Sequence, residues 1–248
     1  MFNLNGKVCV VTGGNKGIGR GIVENFAKAG AKVVYALGRD EAALKEVESL
    51  FPNVKGIKLD VTDVAGIKAF VASIKEEHAN IDVLVNNAGI TRDTLIQRMT
   101  DDDWNQVLDI NLKGLFNMSR EIAPVMMKAG VGSIINISSV VGIDGNIGQT
   151  NYAAAKGGVI AMTKSWAKEF ARKGAQVRVN CIAPGFTQTD MIKTVPDKIL
   201  EAIAAKIMLQ KLGTIEDIAN GCLYLACDAS QYVTAQTLRI DGGMIFGI

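Results

Sequence analysis

Short apolar runs and amphipathic stretches alternate along the whole chain. The apolar runs are rich in Val and Ile and nearly continuous, which is typical of strands covered on both faces. The predicted strands are Val8–Thr12, Lys32–Leu37, Val54–Leu59, Asp82–Asn86, Ser133–Ser138, Gln176–Ile182 and Gln236–Ile240. The predicted helices between them are Gly17–Ala29, Asp40–Leu50, Asp63–His78, Asp101–Lys128, Gln149–Lys173, Pro196–Lys206 and Ile215–Cys227. This alternation predicts an α/β fold, a single-domain, doubly wound parallel sheet of about seven strands, of the Rossmann type and spanning 1–248.

Composition narrows the class of protein. The chain has 248 residues, of which 48% are hydrophobic and 21% charged, enough to bury a large core. Lys and Arg number 27 against 25 Asp and Glu, and so small an excess argues against a nucleic-acid partner. No signal-type segment or run of membrane-spanning length is found, which predicts a cytoplasmic protein without a membrane partner.

Cysteine and histidine usage excludes several kinds of site. The four cysteines stand singly in apolar surroundings and are predicted to be core thiols. The single histidine, His78, excludes two-histidine zinc patterns and argues against a Ser-His-Asp hydrolase. We expect His78 to be an exposed residue at a helix end, and we expect no metal site.

Glycine is abundant, with 26 residues against 4 prolines, and its placement carries information. The first predicted strand is followed by Thr12-Gly13-Gly14-Asn15-Lys16-Gly17-Ile18-Gly19 and then by a helix. Missing side chains let the backbone approach a pyrophosphate, and the free N–H groups of a helix N-terminus attract it. The alternative is a tight structural turn; strand before and helix after favour a dinucleotide site.

A second group of residues is suited to carbonyl chemistry. Tyr152 and Lys156 are four residues apart on a predicted helix and share one of its faces, and Ser139 follows a strand. Reduction of a ketone by hydride develops negative charge on oxygen, which needs a proton donor and a hydrogen-bond donor. Tyr152 would give the proton and Ser139 would hold the oxygen. Bringing a free phenol from a pKa of ~10 to near 7 requires cations, and the nearest available are Lys156 and an oxidised nicotinamide.

The order of these motifs resembles the short-chain dehydrogenase/reductase family along the whole chain. The resemblance rests on the glycine loop, on Asp60 after the third strand, on Asn86-Asn87-Ala88-Gly89 after the fourth and on Pro184-Gly185 after the sixth. It implies that Ser139 and Tyr152 are catalytic, that Lys156 also binds the nicotinamide ribose, and that Asn111 organises a proton-relay water. From the residues alone, Asn111 could instead be a polar residue at a helix kink. A mobile lid over the substrate is expected near 188–208, with a plain surface helix as the alternative.

The residues expected to contact the cofactor lie at the ends of several strands. They are Gly13, Asn15, Lys16, Gly17, Ile18, Gly19, Arg39, Asp60, Val61, Asn87, Ala88, Gly89, Tyr152, Lys156, Pro184, Gly185, Thr187 and Thr189. Arg39 after the second strand, supported by Lys16, favours NADP(H) over NAD(H), because a cation there accepts a ribose 2′-phosphate. The alternative is that both are ordinary solvated cations and that Asp40 cancels Arg39.

Within the family, the motifs are most similar to those of the 3-oxoacyl-acyl-carrier-protein reductase type, which acts in fatty-acid biosynthesis. The resemblance implies NADPH-dependent reduction of a 3-oxoacyl thioester carried by acyl carrier protein. A patch of Lys128, Arg172 and Lys173 could receive that acidic partner, or these residues could simply stabilise helix ends. The alternatives are a reductase of acetoacetyl-CoA or another small ketone, and a non-catalytic dinucleotide-binding protein. The resemblance also implies a homotetramer that uses the two long helices and the chain end near Gly247.

Overall fold

The computed structural model describes residues 2–189 and 197–244. At its centre is a seven-stranded sheet in the order β3-β2-β1-β4-β5-β6-β7, with every neighbouring pair parallel. The strands are β1 Val8–Thr12, β2 Val33–Gly38, β3 Val54–Lys58, β4 Val83–Asn86, β5 Val131–Ile137, β6 Gln176–Pro184 and β7 Thr237–Ile240. The predicted fold class and all seven strands are confirmed, with ends that differ by a few residues.

Helices cover both faces of the sheet. They are α1 Gly17–Lys28, α2 Glu41–Leu50, α3 Val64–Glu77, α4 Asp101–Leu108, α5 Leu115–Ala129, α6 Val141–Asp144, α7 Thr150–Phe170, α8 Asp197–Ala204 and α9 Ile215–Ala226. The helix predicted over Asp101–Lys128 is interrupted, because Asp109–Gly114 between α4 and α5 is π-helical. The short α6 was not predicted. Pro196, the predicted start of α8, lies outside the described residues.

Side-chain caps explain where several helices begin. Asp40 and Asp63 accept hydrogen bonds from the backbone at the starts of α2 and α3. Thr100 forms a capping box with Asp103 at the start of α4, and Thr214 forms another at α9. These local signals fix element boundaries that hydrophobic periodicity leaves uncertain.

Alternate residues of the strands feed two separate cores. Val8 and Val10 of β1 point to the layer of α3, α5 and α7, whereas Cys9 and Val11 point to the layer of α1, α2 and α9. All four cysteines are free and buried, which confirms the predicted core thiols. His78 does end α3, but the prediction of an exposed ring is wrong: the ring is mostly buried and its Nε2 lies 3.1 Å from the Tyr35 hydroxyl.

The strand order creates a switch point between β1 and β4. The chain runs from β1 outward to β3 on one side and from β4 outward to β7 on the other, so loops diverge at the carboxyl edge there. Residues that follow β1, β4, β5 and β6 are therefore brought to one edge of the sheet. In the described part of the chain, no helix combines the length and apolar character needed to cross a bilayer.

Candidate active site

The glycine loop after β1 has backbone conformations and close contacts that exclude side chains. A ligand can therefore approach the backbone of the loop. Gly13 and Gly17 have positive φ, +64° and +52°. A Cβ on Gly19 would collide with the Gly13 carbonyl, so the start of α1 packs directly against the loop. A Cβ on Gly17 would lie 3.9 Å from Cγ2 of Thr189, which places Thr189 beside the loop as the cofactor prediction requires. The loop and Thr189 can therefore face the same ligand.

Thr12 joins the loop to the end of β4, a role that the sequence prediction missed. Its hydroxyl accepts hydrogen bonds from the backbone N–H groups of Asn87 and Ala88, at 2.9 and 3.0 Å. The Asn87 side chain in turn donates to the Thr12 carbonyl at 3.1 Å. The signal that could have revealed this role is a hydroxyl residue, Thr12, at the carboxyl end of a buried strand. Asn87 and Ala88 are thus held against the glycine loop.

The far end of the site contains Arg39 and Asp60. One Arg39 nitrogen lies 3.7 Å from an Asp60 oxygen, and the Arg39 side chain is two-thirds exposed. Asp60 is itself fixed by hydrogen bonds from the backbone and the hydroxyl of Thr62. Asp40 caps α2 by accepting a hydrogen bond from the Ala43 N–H, while the carboxylate 3.7 Å from Arg39 belongs to Asp60. Arg39 is therefore paired with Asp60 and still largely open to solvent at this edge.

Three further predicted residues complete this end. Asn15 is buried and packs against Gly38, where a Cβ would lie 2.6 Å from the Asn15 Oδ1. Lys16 is exposed at the start of α1. The Val61 carbonyl accepts a hydrogen bond from the Asn117 side chain at 3.1 Å, which fixes the backbone after Asp60.

The reacting end brings Ser139, Tyr152 and Lys156 together. Lys156 is buried, and its Nζ donates to the Ile137 carbonyl at 2.7 Å while lying 5.5 Å from the centroid of the Tyr152 ring. Burial lowers the pKa of Lys156 to about 8. The Ser139 hydroxyl accepts a hydrogen bond from the Val141 N–H, which orients it at the start of α6.

The protein groups around Tyr152 together raise the pKa of its phenol and do not lower it. Burial raises the pKa of Tyr152 to about 12, and the nearby Asp93 charge acts in the same direction, while the side chain of Ser139 acts against them. Desolvation outweighs the favourable contact, so the protein groups by themselves keep the phenol neutral. A pKa near 7 is not what the protein alone provides.

Asn111 connects the π-helical segment to the loop after β4. Its Oδ1 accepts from the Ile90 N–H and its Nδ2 donates to the Ile90 carbonyl, both at 2.8 Å. A Cβ on Gly89 would lie 3.2 Å from the Asn111 Oδ1 and 3.6 Å from the Lys156 Nζ. Asn111 thus lies at the distorted part of the helix and also beside Lys156; its part in a proton relay stays a prediction.

Asn151 is a positioning residue that the sequence prediction missed. It is fully buried, donates to the carbonyls of Arg92 and Asp103 at 3.1 and 3.0 Å, and accepts from the Tyr152 N–H at 2.7 Å. Gly148 and Gln149 bind the same loop through Thr94 and Asp93. The beginning of the Tyr152 helix is therefore clasped by the loop after β4.

The turn after β6 is held by its neighbours. The Pro184 carbonyl accepts from the Val140 N–H, Gly185 donates to Ile240, and the Thr187 hydroxyl donates to the Gly185 carbonyl at 3.1 Å. Of the predicted lid at 188–208, residues 190–196 lie outside the described residues, as does Gly247. Residues 197–204 form α8, so the lid itself stays a prediction.

The cations expected to receive a carrier protein lie away from the site within one chain. Lys128 ends α5 before β5, and Arg172 and Lys173 form a turn before β6. Because Ser139 follows β5, the basic residues are at the opposite, amino edge of the sheet. Among the residues with described positions, no group of three or more His, Cys, Asp and Glu could hold a metal ion.

Known proteins resemble the chain over nearly its full length. A family model described as enoyl-(acyl carrier protein) reductase matches residues 13–245. The 3-oxoacyl-[acyl-carrier-protein] reductase FabG of Thermotoga maritima is 48% identical over 247 residues, covering 98% of this chain and 100% of that protein. FabG of Escherichia coli is 44% identical over 243 residues, covering 98% of this chain and 99% of that protein. The crystal structure of an Agrobacterium tumefaciens protein assigned as a gluconate dehydrogenase superposes with a TM-score of 0.94 at 30% identity, covering 100% and 99% of the two chains.

Proposed function

Because the chain belongs to the short-chain dehydrogenase/reductase family, we propose that it catalyses the NADPH-dependent reduction of a 3-oxoacyl thioester to the 3-hydroxyacyl thioester in fatty-acid biosynthesis. The observation that carries the proposal is the meeting of Ser139, Tyr152 and Lys156 at the carboxyl edge of the sheet, beside the glycine loop. The relatives from T. maritima and E. coli bear the name of this activity.

The residues support a division of roles in the reduction. A reduced nicotinamide supplies the hydride when bound. Ser139 donates a hydrogen bond to the substrate carbonyl, and the neutral Tyr152 transfers its proton to that oxygen as charge develops there. The Lys156 ammonium, 5.5 Å from the ring, then stabilises the phenolate that is left. A phenol kept neutral by burial is the protonation state that a proton donor needs.

Two cations at the adenosine end support a dinucleotide with a 2′-phosphate. A Cβ on Gly13, Gly19 or Gly89 would meet backbone or side-chain atoms of neighbouring loops, so these glycines let the loops of the site pack closely together. Lys16 and the exposed Arg39 supply two cations for a phosphate on the adenosine ribose. We therefore assign NADP(H), with NAD(H) as the poorer cofactor.

The cofactor assignment is tested by substitution of the two cations. We expect Arg39→Ala and Lys16→Ala each to raise KM for NADPH about tenfold and to leave KM for NADH nearly unchanged, since each loses one charged hydrogen bond worth about 1.5–3 kcal/mol. Lys45→Ala, an exposed cation on α2, is the control. Equal effects on both cofactors would contradict the assignment.

The reaction is tested by comparing wild type with Tyr152→Phe. Absorbance of NADPH is followed with acetoacetyl-acyl-carrier protein, acetoacetyl-CoA and an unrelated small ketone. We expect Tyr152→Phe to lower kcat by 10²–10⁴, the usual range for a lost general acid, with binding of NADPH retained. Wild-type rates in Tyr152→Phe would show that Tyr152 is not the proton donor. No turnover by the wild-type protein would favour the alternative of a non-catalytic dinucleotide-binding protein.

The same panel decides between carriers. Acyl carrier protein is the proposed partner, whereas the position of Lys128, Arg172 and Lys173 at the amino edge favours the second candidate, reduction of acetoacetyl-CoA or a small ketone. A kcat/KM at least tenfold higher with the carrier-protein thioester supports the first candidate. Equal values for the two thioesters support the second.

We also propose a homotetramer. An open groove lies where the π-helical segment and the start of α5 face α7, and it is lined by Leu108, Asp109, Leu112, Lys113, Phe116 and Met162. Phe116 is 39% exposed there, although Leu115, Met118 and Trp166 of the same helices are buried in the core. An exposed aromatic residue in an apolar groove is suited to a two-fold contact with a second copy.

A further inference from the structure

Arg239 on β7 lies between two carboxylates that belong to different parts of the active-site region. Its Nη2 is 3.0 Å from an Asp144 oxygen and 2.7 Å from an Asp241 oxygen, and its Nε donates to the same Asp241 oxygen at 2.8 Å. The Asp241 side chain is 7% exposed and that of Asp144 is 27% exposed. The Arg239 side chain is 37% exposed, so shielding from solvent is strongest at Asp241, where the ion pair is screened less than one on the open surface.

The first carboxylate belongs to the segment that carries Ser139. Asp144 is the last residue of α6, and α6 begins two residues after Ser139. Beyond Asp144 the chain continues to Ile147, which is 86% exposed, and Ile143 is 42% exposed. Gly142 of α6 packs against the backbone of Lys156, so α6 lies beside the reacting end, and we call the exposed residues Ile143 and Ile147 the α6 wall.

The second carboxylate, that of Asp241, belongs to the segment that follows β7 and holds the residues after α8. Asp241 packs on Gly185 and its Oδ1 accepts from the Gly243 N–H at 3.0 Å. Gly242 and Gly243 accept hydrogen bonds from Leu209 and Met208, which follow α8. Met208 and Leu209 are 69% and 65% exposed, and we call this pair the Met208–Leu209 wall.

A small apolar cluster lies between the two walls. Val140 before α6 packs in one group with Ile207, Leu212 and Met244. Arg239 also donates to the Met244 carbonyl at 3.4 Å. The ion network of Arg239 therefore lies beside this apolar cluster, which joins the segment before α6 to the segment after α8.

We propose that Arg239 is a positioning residue that fixes the α6 wall relative to the Met208–Leu209 wall by holding Asp144 and Asp241 together, and so sets the fit of the acyl chain. The proposal rests on the proposed function for the identity of the substrate. Without the cation, two partly buried carboxylates would face each other and repel, and α6 would move outward. Ser139 has separate anchors, since Ser138 and Val140 bind the backbone of Ile182 and Pro184. Loss of Arg239 should therefore weaken substrate binding more than the chemical step.

The test combines kinetics with hydrogen exchange on the full-length enzyme. We expect Arg239→Gln to raise KM for acetoacetyl-CoA about fivefold or more, with kcat and KM for NADPH within twofold of wild type. Asp144→Asn should raise the same KM less, and in the Arg239→Gln background it should lower KM again, because it removes one of the two repelling carboxylates. Arg239→Lys keeps a cation between the carboxylates but loses the fork that contacts both of them, so its KM should fall between those of wild type and Arg239→Gln.

Amide hydrogen exchange reports how well the α6 wall and the Met208–Leu209 wall are held in the absence of substrate. We expect peptides covering 139–148 and 205–212 both to exchange faster in Arg239→Gln than in wild type. Lys7→Gln, which breaks the Lys7–Asp228 pair of 2.9 Å at the far edge of the sheet, should change neither KM nor these peptides.

The outcomes separate the two proposals. If wild type does not reduce the thioester, the proposed function fails, and faster exchange of both peptides in Arg239→Gln still decides the positioning role. Unchanged KM and unchanged exchange in Arg239→Gln would overturn that role. Failure of Asp144→Asn to lower KM in the Arg239→Gln background would overturn it as well, since repulsion between the carboxylates would then not be the cause.

Discussion

At the scale of single residues, burial moves the pKa values of Lys156 and Tyr152 in opposite directions. It lowers the pKa of Lys156 to about 8 and raises that of Tyr152 to about 12. At neutral pH the lysine remains mainly protonated and the phenol remains neutral. The two side chains, one helical turn apart, therefore rest in the states suited to donating a proton and stabilising the anion that results.

The buried Lys156 should make stability depend on pH. Its pKa is about 8 in the folded protein and ~10.4 in the unfolded chain, so between these values the unfolded chain binds more protons and stability rises with pH. We expect the free energy of unfolding of wild type to gain about 1–2 kcal/mol relative to Lys156→Met between pH 7.5 and 9.5. Urea unfolding of both proteins across this range measures the difference. A difference that stays constant with pH would contradict the lowered pKa.

Gly19→Ala tests the close packing of the glycine loop. The added methyl would collide with the Gly13 carbonyl, which is backbone and cannot rotate away. We expect the variant to lose NADPH binding at least tenfold, measured by quenching of tryptophan fluorescence, because the loop must open to accept the methyl. Gly213→Ala, where a Cβ meets no atom closer than 3.6 Å, is the control. Tight NADPH binding by Gly19→Ala would argue against the loop as the pyrophosphate site.

At the scale of elements, the π-helical segment between α4 and α5 is what brings Asn111 to Ile90. An uninterrupted α-helix over the same residues would rotate the later side chains relative to the earlier ones. Wider turns of this kind are frequent at functional sites. The hydrophobic period could not reveal the change, because Val107 is the one buried residue of α4 and its apolar face is too short to show a shift of phase.

Asn111→Ala should affect both stability and activity. The two hydrogen bonds of 2.8 Å to Ile90 are lost, leaving partly buried backbone groups unpaired, so we expect a loss of about 1–3 kcal/mol in the free energy of unfolding. We also expect kcat to fall tenfold or more as the loop beside Lys156 loosens. Gln106→Ala on α4, which removes only a surface contact with Asp102, is the control. Wild-type kcat in Asn111→Ala would limit Asn111 to a structural part.

At the scale of the whole molecule, the groove of α5 and α7 predicts how copies assemble. Phe116→Glu would place a charge in the proposed contact, and we expect the tetramer to dissociate to smaller species at micromolar concentration. Sedimentation velocity measures this directly. Leu50→Glu, which alters a similarly exposed apolar residue on α2, should leave the assembly intact. A wild-type protein that sediments as a monomer would reject the tetramer itself.

The sequence by itself determined the sheet and most of its helices, and it indicated which residues form the candidate site. Strand runs covered on both faces, glycines in a fixed order, and Tyr152 four residues before Lys156 are local signals whose physical meaning does not depend on the rest of the chain. Cap residues such as Thr100 and Thr214 are local in the same sense, which explains why element ends are predicted to within a few residues.

Only the tertiary structure decided what depends on contacts between distant segments. Thr12 bonding to Asn87, Asn151 clasping the loop after β4, and Arg239 joining Asp144 to Asp241 connect residues tens of positions apart, and no periodicity records them. The rise that burial causes in the pKa of Tyr152 is of the same kind, because desolvation depends on everything packed around the phenol. Residue types and spacing indicate the chemistry of the site, whereas packing decides the pKa values of its groups and the positions of the two walls.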